Sequence, residues 1–371
     1  MGPHLCPSLA LMRTAVVILN WNGRKWMESF LPIVLAHTND ADIIVADNAS
    51  TDDSVEWLRQ AHPEVGVIQL EENLGFAGGY NEALARLDHD LFLLLNSDVE
   101  VTPGWLKKLK EHIIQHPRMA ACQPKIRSYR ERQRLEHAGA AGGFIDRNGY
   151  PFCRGRIFEV TEVDEGQYDG SAEVFWATGA CLLIRREAFN EVDGFDPALF
   201  AHMEEIDLCW RLRRRGWTIG YTSAALVYHA GGGALGYGSP RKTYLNFRNS
   251  LIVLTKNLRR PRWQAGLIRR LVLDGFAAIK FLLEGHGAHS WQVFRAHWAF
   301  FLRLPHVLDQ RRKLLLQEQG PDLTGMYHRS IAFDRFILGW KRFTQLDRSA
   351  FERHARAGNA RPENSPAPQA P

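Results

Sequence analysis

Several features that define whole classes of protein are missing from this chain. Its 371 residues include only five cysteines, an odd number, and no two of them form a Cys-x-x-Cys pair. They are Cys6, Cys122, Cys153, Cys181 and Cys209. This usage predicts free thiols in a reducing compartment and argues against a disulfide framework or a structural zinc site. No run of 18 apolar residues occurs, so no membrane-spanning helix is expected.

The first residues, MGPHLCPSLALMRT, lack the basic region and the long apolar region of a secretory signal peptide. Met12 is followed directly by Arg13 and by the first strand-like segment. We therefore expect Met12 to be the biological start and residues 1–11 to be a non-native extension or a disordered start. With neither signal peptide nor spanning helix expected, the predicted location is the cytoplasm.

Charge is distributed unevenly along the chain, although the net charge is only +5. Residues 240–371 contain 23 Lys and Arg against 9 Asp and Glu, whereas residues 1–239 contain 23 against 32. This asymmetry indicates that the two parts have different tasks. With 45% hydrophobic and 23% charged residues, the chain has the composition of a globular protein.

Apolar strand-like segments alternate with helical ones over residues 14–98. The strands are predicted at 14–19, 43–46, 65–70 and 91–95, and the helices at 24–37, 52–60 and 77–87. This alternation is typical of a doubly wound α/β sheet. Farther along, we expect helices at 105–116 and 200–216, loops over the site at 127–170, and strand-like pieces at 217–228. Beyond residue 250 the pattern is mainly helical.

Polar residues follow three of the predicted strands. They are Asn20 and Asn22, Asp47 and Asn48, and Asn96 and Asp98. Ligands of such sheets bind outside the carboxyl ends of the strands, so these side chains are expected to share one crevice. Each pair alone could equally be a turn former. Because three strands end in polar residues of the same kind, we favour one shared crevice over three separate turns.

Two of the candidate residues suit a metal. Asp98 follows a buried strand on a short loop, where a carboxylate can hold a hard divalent cation that also binds phosphates. His229 follows another strand and precedes a run of three glycines, which lets the backbone approach a ligand closely. Imidazole can bind Mn²⁺-like ions. A lone histidine is nevertheless more often structural.

An acidic cluster opens the helix predicted at 200–216. Glu204, Glu205 and Asp207 lie at its N-terminal end, where the helix dipole favours negative charge. Helix stability alone could explain them. The apolar and aromatic surroundings, which begin at Gly194-Phe195-Asp196, favour a second explanation, namely a general base at a helix start in a cleft.

Seven motifs occur in an order that resembles a known family. They are VVILNWNG, VADNASTDDS, ENLGFAGGYNEAL, LLLNSDVEV, TGACLLIRREAF, GFDPALFAHMEEIDLCWRLRRRGW and VYHAGGG. Over residues 14–250 the chain resembles the inverting family-2 glycosyltransferases, particularly their bacterial rhamnosyltransferase-like branch. The resemblance implies an α/β GT-A nucleotide-diphospho-sugar transferase fold, a Rossmann-like mixed sheet flanked by helices, with a mainly α-helical C-terminal extension.

The resemblance also implies a nucleotide-sugar-binding set. Asp47 and Asn48 would contact the base of the nucleotide, and the other members would shape the pocket. The full set is Asn20, Asn22, Asp47, Asn48, Asn73, Gly75, Asn81, Asn96, Asp98 and Gly179. Asp98 matches the last acid of the family's DxD metal motif, and His229 would be a second ligand of Mg²⁺ or Mn²⁺ or a diphosphate contact.

By the same resemblance, Glu205 stands where the family has its catalytic base. Two departures from the family pattern are present: Asn96 replaces the first DxD acid, and Glu205 replaces an Asp. Glu204 and Asp207 remain alternative bases, although Asp207 more plausibly positions Arg211 one helical turn on. The implied function is inverting transfer of a sugar from a UDP- or dTDP-sugar, with dTDP-rhamnose among the candidates. The acceptor would be a saccharide or lipid-linked saccharide in cell-surface polysaccharide synthesis.

The catalytic domain is predicted at residues 12–250. We expect residues 251–356 to form a basic amphipathic helical region and residues 357–371 to form a disordered tail. Residues 264–284 carry apolar side chains on one side, and a second segment carries Trp291, Phe294, Trp298 and Phe301. These helices could pack on the catalytic domain. They could also lie on an anionic membrane, which would make the enzyme peripheral at the inner face of the cytoplasmic membrane. No nucleic-acid-binding module is recognisable.

Two other functions compete with transfer. A sugar nucleotidyltransferase should have a Gly-rich basic loop after its first strand, where this chain has Asn20-Trp21-Asn22-Gly23. A catalytically inactive nucleotide-sugar-binding module in a polysaccharide-assembly complex would not need Asp98, Glu205 and His229 together.

Overall fold

The computed structural model describes residues 12–231, 238–258, 263–317 and 323–352. The predicted extension at 1–11, the tail at 357–371 and two glycines of the run after His229 lie outside the described residues. Fourteen strands occur in the described ranges. They are β1 (Thr14–Asn20), β2 (Asp42–Asp47), β3 (Gly66–Gln69), β4 (Leu91–Asn96), β5 (Val99–Val101), β6 (Met119–Ser128), β7 (Gly143–Asp146), β8 (Pro151–Cys153), β9 (Arg156–Ile157), β10 (Val160–Thr161), β11 (Ser171–Glu173), β12 (Cys181–Arg185), β13 (Thr218–His229) and β14 (Met326–Tyr327).

Ten α-helices occur in the same ranges, together with 3₁₀ helices at Pro197–Leu199, Phe343–Gln345 and Arg348–Ala350. The α-helices are α1 (Arg24–Ala36), α2 (Ser54–Ala61), α3 (Gly75–Leu84), α4 (Trp105–Ile114), α5 (Arg186–Glu191), α6 (Glu204–Arg214), α7 (Pro240–Asn257), α8 (Trp263–Leu283), α9 (Gly287–Leu316) and α10 (Ile331–Phe336).

The central sheet is mixed. Its strand order is β11-β13-β6-β12-β4-β1-β2-β3, with β5 paired to β13. Strands β3, β2, β1 and β4 are parallel, whereas β12 runs antiparallel to β4 and β6. Because its parallel strands are joined through helices, the first half of the sheet is covered on both faces. The alternation predicted for residues 14–98 is confirmed.

Alternate residues of β1 enter two different hydrophobic cores. Ala15 and Val17 pack with Tyr80 of α3 on one face of the sheet, while Val16 and Ile18 pack with residues of α1 on the other. All four are buried, which is why the sequence of this strand is continuously apolar and does not alternate with polar residues. Packing on both faces fixes the position of β1 and therefore the point at which this strand ends.

The prediction of loops over residues 127–170 is wrong. This segment contains β7, β8, β9 and β10, which form a second sheet in the order β10-β9-β8-β7-β14. The strands have two to four residues each, too short to show a period of two. Their partner β14 lies more than 150 residues away along the chain, so local sequence gives no sign of the pairing.

The helices beyond residue 240 pack against the sheet domain through α7. The boundary predicted between residues 250 and 251 falls inside this helix, whose C-terminal half is buried. From α7, Lys256 and Asn257 donate hydrogen bonds to Asp207 of α6. A division of the chain at residue 250 therefore cuts through a helix that both parts share.

Candidate functional site

The parallel registers bring the polar strand ends to one edge of the sheet. Asn20 of β1 lies beside Asp47 of β2, and Leu19 lies beside Asn96 of β4. This is the edge at which ligands of doubly wound sheets bind. Residues from three separated parts of the sequence thus meet at one edge of the sheet.

A hydrogen-bond network surrounds Asp47. Asn20 Nδ2 donates to Asp47 Oδ1 over 2.9 Å, and the amide of Ser50 donates to Asp47 Oδ2 over 3.0 Å. Asn22 Oδ1 accepts from the amides of Thr51 and Asp52. Asp47 is fully buried, and through these hydrogen bonds its carboxylate holds together the loops that follow β1 and β2. Its contact with a nucleotide base stays a prediction.

A second network shapes the next loop. Asn48 Nδ2 donates to Asn73 Oδ1 over 3.1 Å and to the carbonyl of Gly75 over 2.9 Å. Gly75 has φ +71°, and a Cβ there would lie 2.5 Å from the carbonyl oxygen of Phe200. The same carbonyl accepts the amide of Phe76. Glycine at this position therefore allows the start of α3 to approach the loop before α6.

Two other predicted pocket residues have packing roles. Asn81 donates to the carbonyl of Phe195 over 2.8 Å and accepts its amide over 2.9 Å, so both ends of its amide tie α3 to the loop after α5. A Cβ on Gly179 would lie 2.7 Å from the ring of Phe76. These contacts place Asn81 among the supports of the crevice. Asn96 is half-buried, and its backbone N–H donates to the carbonyl of Ala180.

Asp98 and His229 meet at the end of the sheet. His229 Nε2 lies 3.1 Å from Asp98 Oδ1, and its Nδ1 lies 3.2 Å from Glu136 Oε2. All three side chains are buried. Burial by itself would lower the pKa of His229, but the charges of Asp98 and Glu136 outweigh it and raise the pKa to about 10. An imidazolium therefore sits between two carboxylates.

Glu136 is a site residue that sequence reasoning missed. It lies in the segment for which only loops were predicted, 93 positions before His229. No motif marks it, and only the folded chain brings it to the imidazole. Within the described ranges, no three His, Cys, Asp or Glu side chains come together as ligands of a metal ion.

Backbone strain is concentrated just before α6. Phe200, His202 and Met203 have φ values of +64°, +68° and +74°, a region that non-glycine residues rarely adopt. Helix α6 then begins at Glu204 without a side-chain cap. Such strain persists only where surrounding contacts enforce it, and it is common at functional sites.

Those contacts come from α7. Asn249 Nδ2 donates to the carbonyls of Leu199, Ala201 and His202 over 2.7–2.9 Å. Arg248 donates to the carbonyl of Leu199 as well. The loop is thus fixed by a helix that lies about 50 residues farther along the chain.

Replacing Asn249 with Ala is expected to lower the free energy of unfolding by about 2 kcal/mol, because buried carbonyls of the strained loop lose their donor. The midpoint of urea unfolding measures the effect. Ser250→Ala is the matched control, since the buried Ser250 hydroxyl donates to only one carbonyl, in its own helix. Equal losses in the two variants would contradict the role assigned to Asn249.

Glu204 and Glu205 occupy the first turn of α6 in different states. Burial raises the pKa of Glu205 to about 7. Burial, and then the charge of Glu205, raises the pKa of Glu204 well above its usual value. Each has one buried carboxylate oxygen without a hydrogen-bond partner in the structure, and Glu205 is the more exposed of the two. Glu205 therefore has the pKa and the access of a general base near neutral pH.

Asp207 has a different environment. It is fully buried and accepts hydrogen bonds from Arg211 Nε over 2.7 Å, Lys256 Nζ over 2.9 Å and Asn257 Nδ2 over 2.8 Å. Burial would raise its pKa, but the charges of Lys256 and Arg211 lower the pKa to about 2. A carboxylate held in this way is a weak base. The geometry favours the positioning of Arg211 over catalysis by Asp207.

Comparison with known proteins gives a family for this arrangement. A family model described as "Glycosyl transferase family 2" matches residues 15–193. The N-acetylglucosaminyl-diphospho-decaprenol L-rhamnosyltransferase of Mycobacterium tuberculosis is 31% identical over 237 residues, which cover 58% of this chain and 75% of that protein. The low-salt glycan biosynthesis hexosyltransferase Agl10 of Haloferax volcanii is 22% identical, with coverage of 73% and 85%.

Solved structures share the fold. Staphylococcus aureus TarS 1–349 in complex with UDP-GlcNAc has a TM-score of 0.51 at 17% identity, over 78% of this chain and 80% of that one. GalNAc-T7 with UDP, GalNAc and Mn²⁺ has a TM-score of 0.52 at 16% identity, over 66% of this chain and 48% of that one. The expected GT-A fold with a helical C-terminal region is confirmed. On its sequence and its fold, the chain belongs to glycosyl transferase family 2, and within that family it resembles the rhamnosyltransferases.

Proposed function

We propose that this chain transfers a sugar from a nucleotide-diphosphate donor to a hydroxyl of a saccharide or lipid-linked saccharide, with inversion at the anomeric carbon. The observation that carries the proposal is Glu205, held at a strained helix start with its pKa raised to about 7. The relative from M. tuberculosis is named for transfer to a lipid-linked acceptor, which supports the acceptor class. A UDP- or dTDP-sugar is the proposed donor, with dTDP-rhamnose among the candidates.

The proposed chemistry is a single displacement. Glu205 takes the proton of the acceptor hydroxyl, and that oxygen forms a bond to the anomeric carbon from the face opposite the nucleotide. The bond between the anomeric carbon and the diphosphate oxygen breaks, and the nucleoside diphosphate departs with the electron pair. Burial and the charge of Glu205 raise the pKa of Glu204 well above its usual value and favour its protonated form, which makes Glu204 less suited than Glu205 to act as base.

We propose a divalent cation, Mg²⁺ or Mn²⁺, as the cofactor, with Asp98 and His229 as the residues that would hold it. Asp98 and His229 supply an oxygen and a nitrogen 3.1 Å apart, and phosphate oxygens of the donor would complete the coordination. Such an ion, when bound, neutralises charge on the departing diphosphate. His229 must release its Nε2 proton to become a ligand, and Glu136 stays beside Nδ1 to orient the ring.

The donor half of this proposal can be tested by a thermal-shift screen of nucleotide-diphosphate sugars with Mg²⁺ or Mn²⁺, followed by turnover of the best donor. We expect a shift with a UDP- or dTDP-sugar and release of the nucleoside diphosphate. The Asp98→Asn variant should weaken metal-dependent donor binding by roughly tenfold or more, since it removes the charged oxygen ligand.

The competing functions give other results. Formation of a nucleotide sugar and pyrophosphate from a nucleoside triphosphate would identify a nucleotidyltransferase. A donor-dependent shift without any turnover, in the presence of a range of acceptors, would support a binding module and contradict the proposal. Asp88→Asn is the control for Asp98→Asn, because Asp88 is exposed before β4, at the opposite end of that strand from Asp98, and donor binding should not depend on it.

A further inference from the structure

One side of α8 is apolar and exposed. Ile268, Val272, Phe276, Ile279 and Leu283 are 55–82% exposed. Their spacing of three or four residues puts them on a single stripe, whereas the buried residues of α8 fall on the other side of the helix. The stripe therefore cannot be explained by packing on the sheet domain.

A second exposed stripe lies on α9. Trp291, Phe294, Trp298 and Phe301 are 47–63% exposed at the same helical spacing. The first three line a groove of about 390 Å³ together with Tyr244 of α7. Exposed apolar patches with neighbouring members on a folded protein mark interaction sites.

Basic side chains accompany the two stripes. Residues 263–316 contain eight Lys and Arg against three Asp and Glu. Two of the acids, Glu284 and Asp309, are paired with lysines one turn away, and the third is buried. Arg295 and Arg303 are exposed on α9 and hydrogen-bond to neutral groups. The surface around the apolar stripes is therefore net positive.

We propose that α8 and α9 form a docking surface for an anionic lipid bilayer. The stripes would enter the boundary between headgroups and acyl chains, where tryptophan is favoured, and Arg295 and Arg303 would meet anionic headgroups. No helix in the described ranges is long and apolar enough to cross a membrane. Apolar residues confined to one side suit a helix that lies in the plane of the surface.

This surface adjoins the loop before α6. Arg241, in the first turn of α7, stacks over the Phe200 ring at 5.4 Å, and Tyr244 lines the groove on α9. The two residues are three positions apart, which is about 5 Å along a helix. Glu205 lies five positions after Phe200. Docking would present the strained loop to acceptors embedded in the same bilayer; this second step rests on the proposed function.

Co-sedimentation with vesicles tests the docking surface. We expect the full chain to bind vesicles that mix phosphatidylglycerol with phosphatidylcholine, and to bind phosphatidylcholine vesicles weakly. The Phe276→Ser/Trp298→Ser variant should bind the anionic vesicles at least tenfold more weakly. Arg295→Glu/Arg303→Glu should also bind more weakly and lose most of the salt dependence. Ile337→Ser is the control, because Ile337 is 69% exposed outside both stripes.

Any of three results would overturn the proposal. The first is equal vesicle binding by the wild type and the Phe276→Ser/Trp298→Ser variant, and the second is no binding of the wild type to anionic vesicles at low salt. The third is dimerisation of the wild type, without vesicle binding, that this variant abolishes; the stripes would then join two copies of the chain. Donor hydrolysis in solution should be the same in the variant and the wild type. Vesicle binding without any transfer would leave the surface standing and reject the proposed function.

Discussion

The Glu205→Gln variant is expected to transfer sugar roughly 10²–10⁴-fold more slowly than the wild type, the range that a positioned general base contributes. The amide keeps the size of the side chain but cannot accept the proton of the acceptor hydroxyl. Donor affinity should change little, because proton removal is not required for binding. Nucleoside diphosphate release at saturating donor and acceptor measures the rate, and calorimetric titration measures donor affinity.

Glu204→Gln is the matched control for this experiment. Glu204 is the preceding residue of the same helix turn, and burial raises its pKa well above the usual value, so the amide resembles the protonated form that burial favours. We expect the Glu204→Gln variant to keep its rate within about tenfold of the wild type. A large loss in Glu204→Gln together with a near-normal rate in Glu205→Gln would move the base to Glu204.

The pH dependence of the wild-type transfer rate should report the ionisation of Glu205. A general base works in its deprotonated form, so the rate should rise with pH through about 7, the raised pKa of Glu205. In the Glu205→Gln variant this rising limb should disappear. A wild-type profile that is flat from pH 5 to 8 would contradict a base with a raised pKa.

The Asp207→Asn variant is expected to lower the free energy of unfolding by about 3–5 kcal/mol, as is typical when one partner of a buried ion pair is removed. Arg211 would remain buried without a carboxylate partner, and Lys256 would keep only Asp196. The midpoint of urea unfolding, with far-UV circular dichroism as the probe, measures the loss.

The exposed pair between Glu284 and Lys280 provides the comparison, because Glu284→Gln removes a charge from solvent and should change the midpoint little. A Lys256→Met variant and the Asp207→Asn/Lys256→Met double variant complete a cycle. We expect the double variant to be more stable than the two separate losses predict, since the interaction between the two groups is counted in both single losses but is lost only once. Additive losses would mean that the two groups do not stabilise each other.

Acid should weaken the ion pairs that Asp207 forms, because it protonates this carboxylate. The pKa of Asp207 is lowered to about 2, below its usual value near 4, so the native state holds fewer protons than the unfolded chain between these values. The stabilisation is present above pH 4 and is lost as the pH falls toward 2. The Asp207→Asn variant should lose less stability than the wild type over this interval.

Much of the sheet could be predicted from local sequence. The segment 14–19 is continuously apolar because β1 is buried on both faces, and the turn residues after β1, β2 and β4 mark the ends of those strands. Parallel strands that end together bring those residues to one edge in any doubly wound sheet. The acidic cluster at the start of α6 is likewise visible in the sequence, because its members are neighbours along the chain. A helix N-terminus favours such negative charge.

What each acid does was not decided locally. Glu204, Glu205 and Asp207 have similar side chains within one helical turn, yet burial raises the pKa of the two glutamates, whereas the pKa of Asp207 is lowered to about 2. The difference comes from Arg211 and from Lys256 and Asn257, which lie about 50 residues farther on and, of these three acids, contact Asp207. Asn249 and Glu136 are further cases, since each acts on a partner that is distant in sequence.

The sequence by itself determined the order of strands and helices over residues 14–98, the edge of the sheet where polar residues gather, and the motifs that place the chain in its family. Periodicity and turn chemistry report on neighbours along the chain, and these features depend on such neighbours. The tertiary structure decided which carboxylate can act as base, which partners hold His229, and how residues 143–161 pair with β14. Those outcomes depend on burial and on charges that approach only when distant segments pack together.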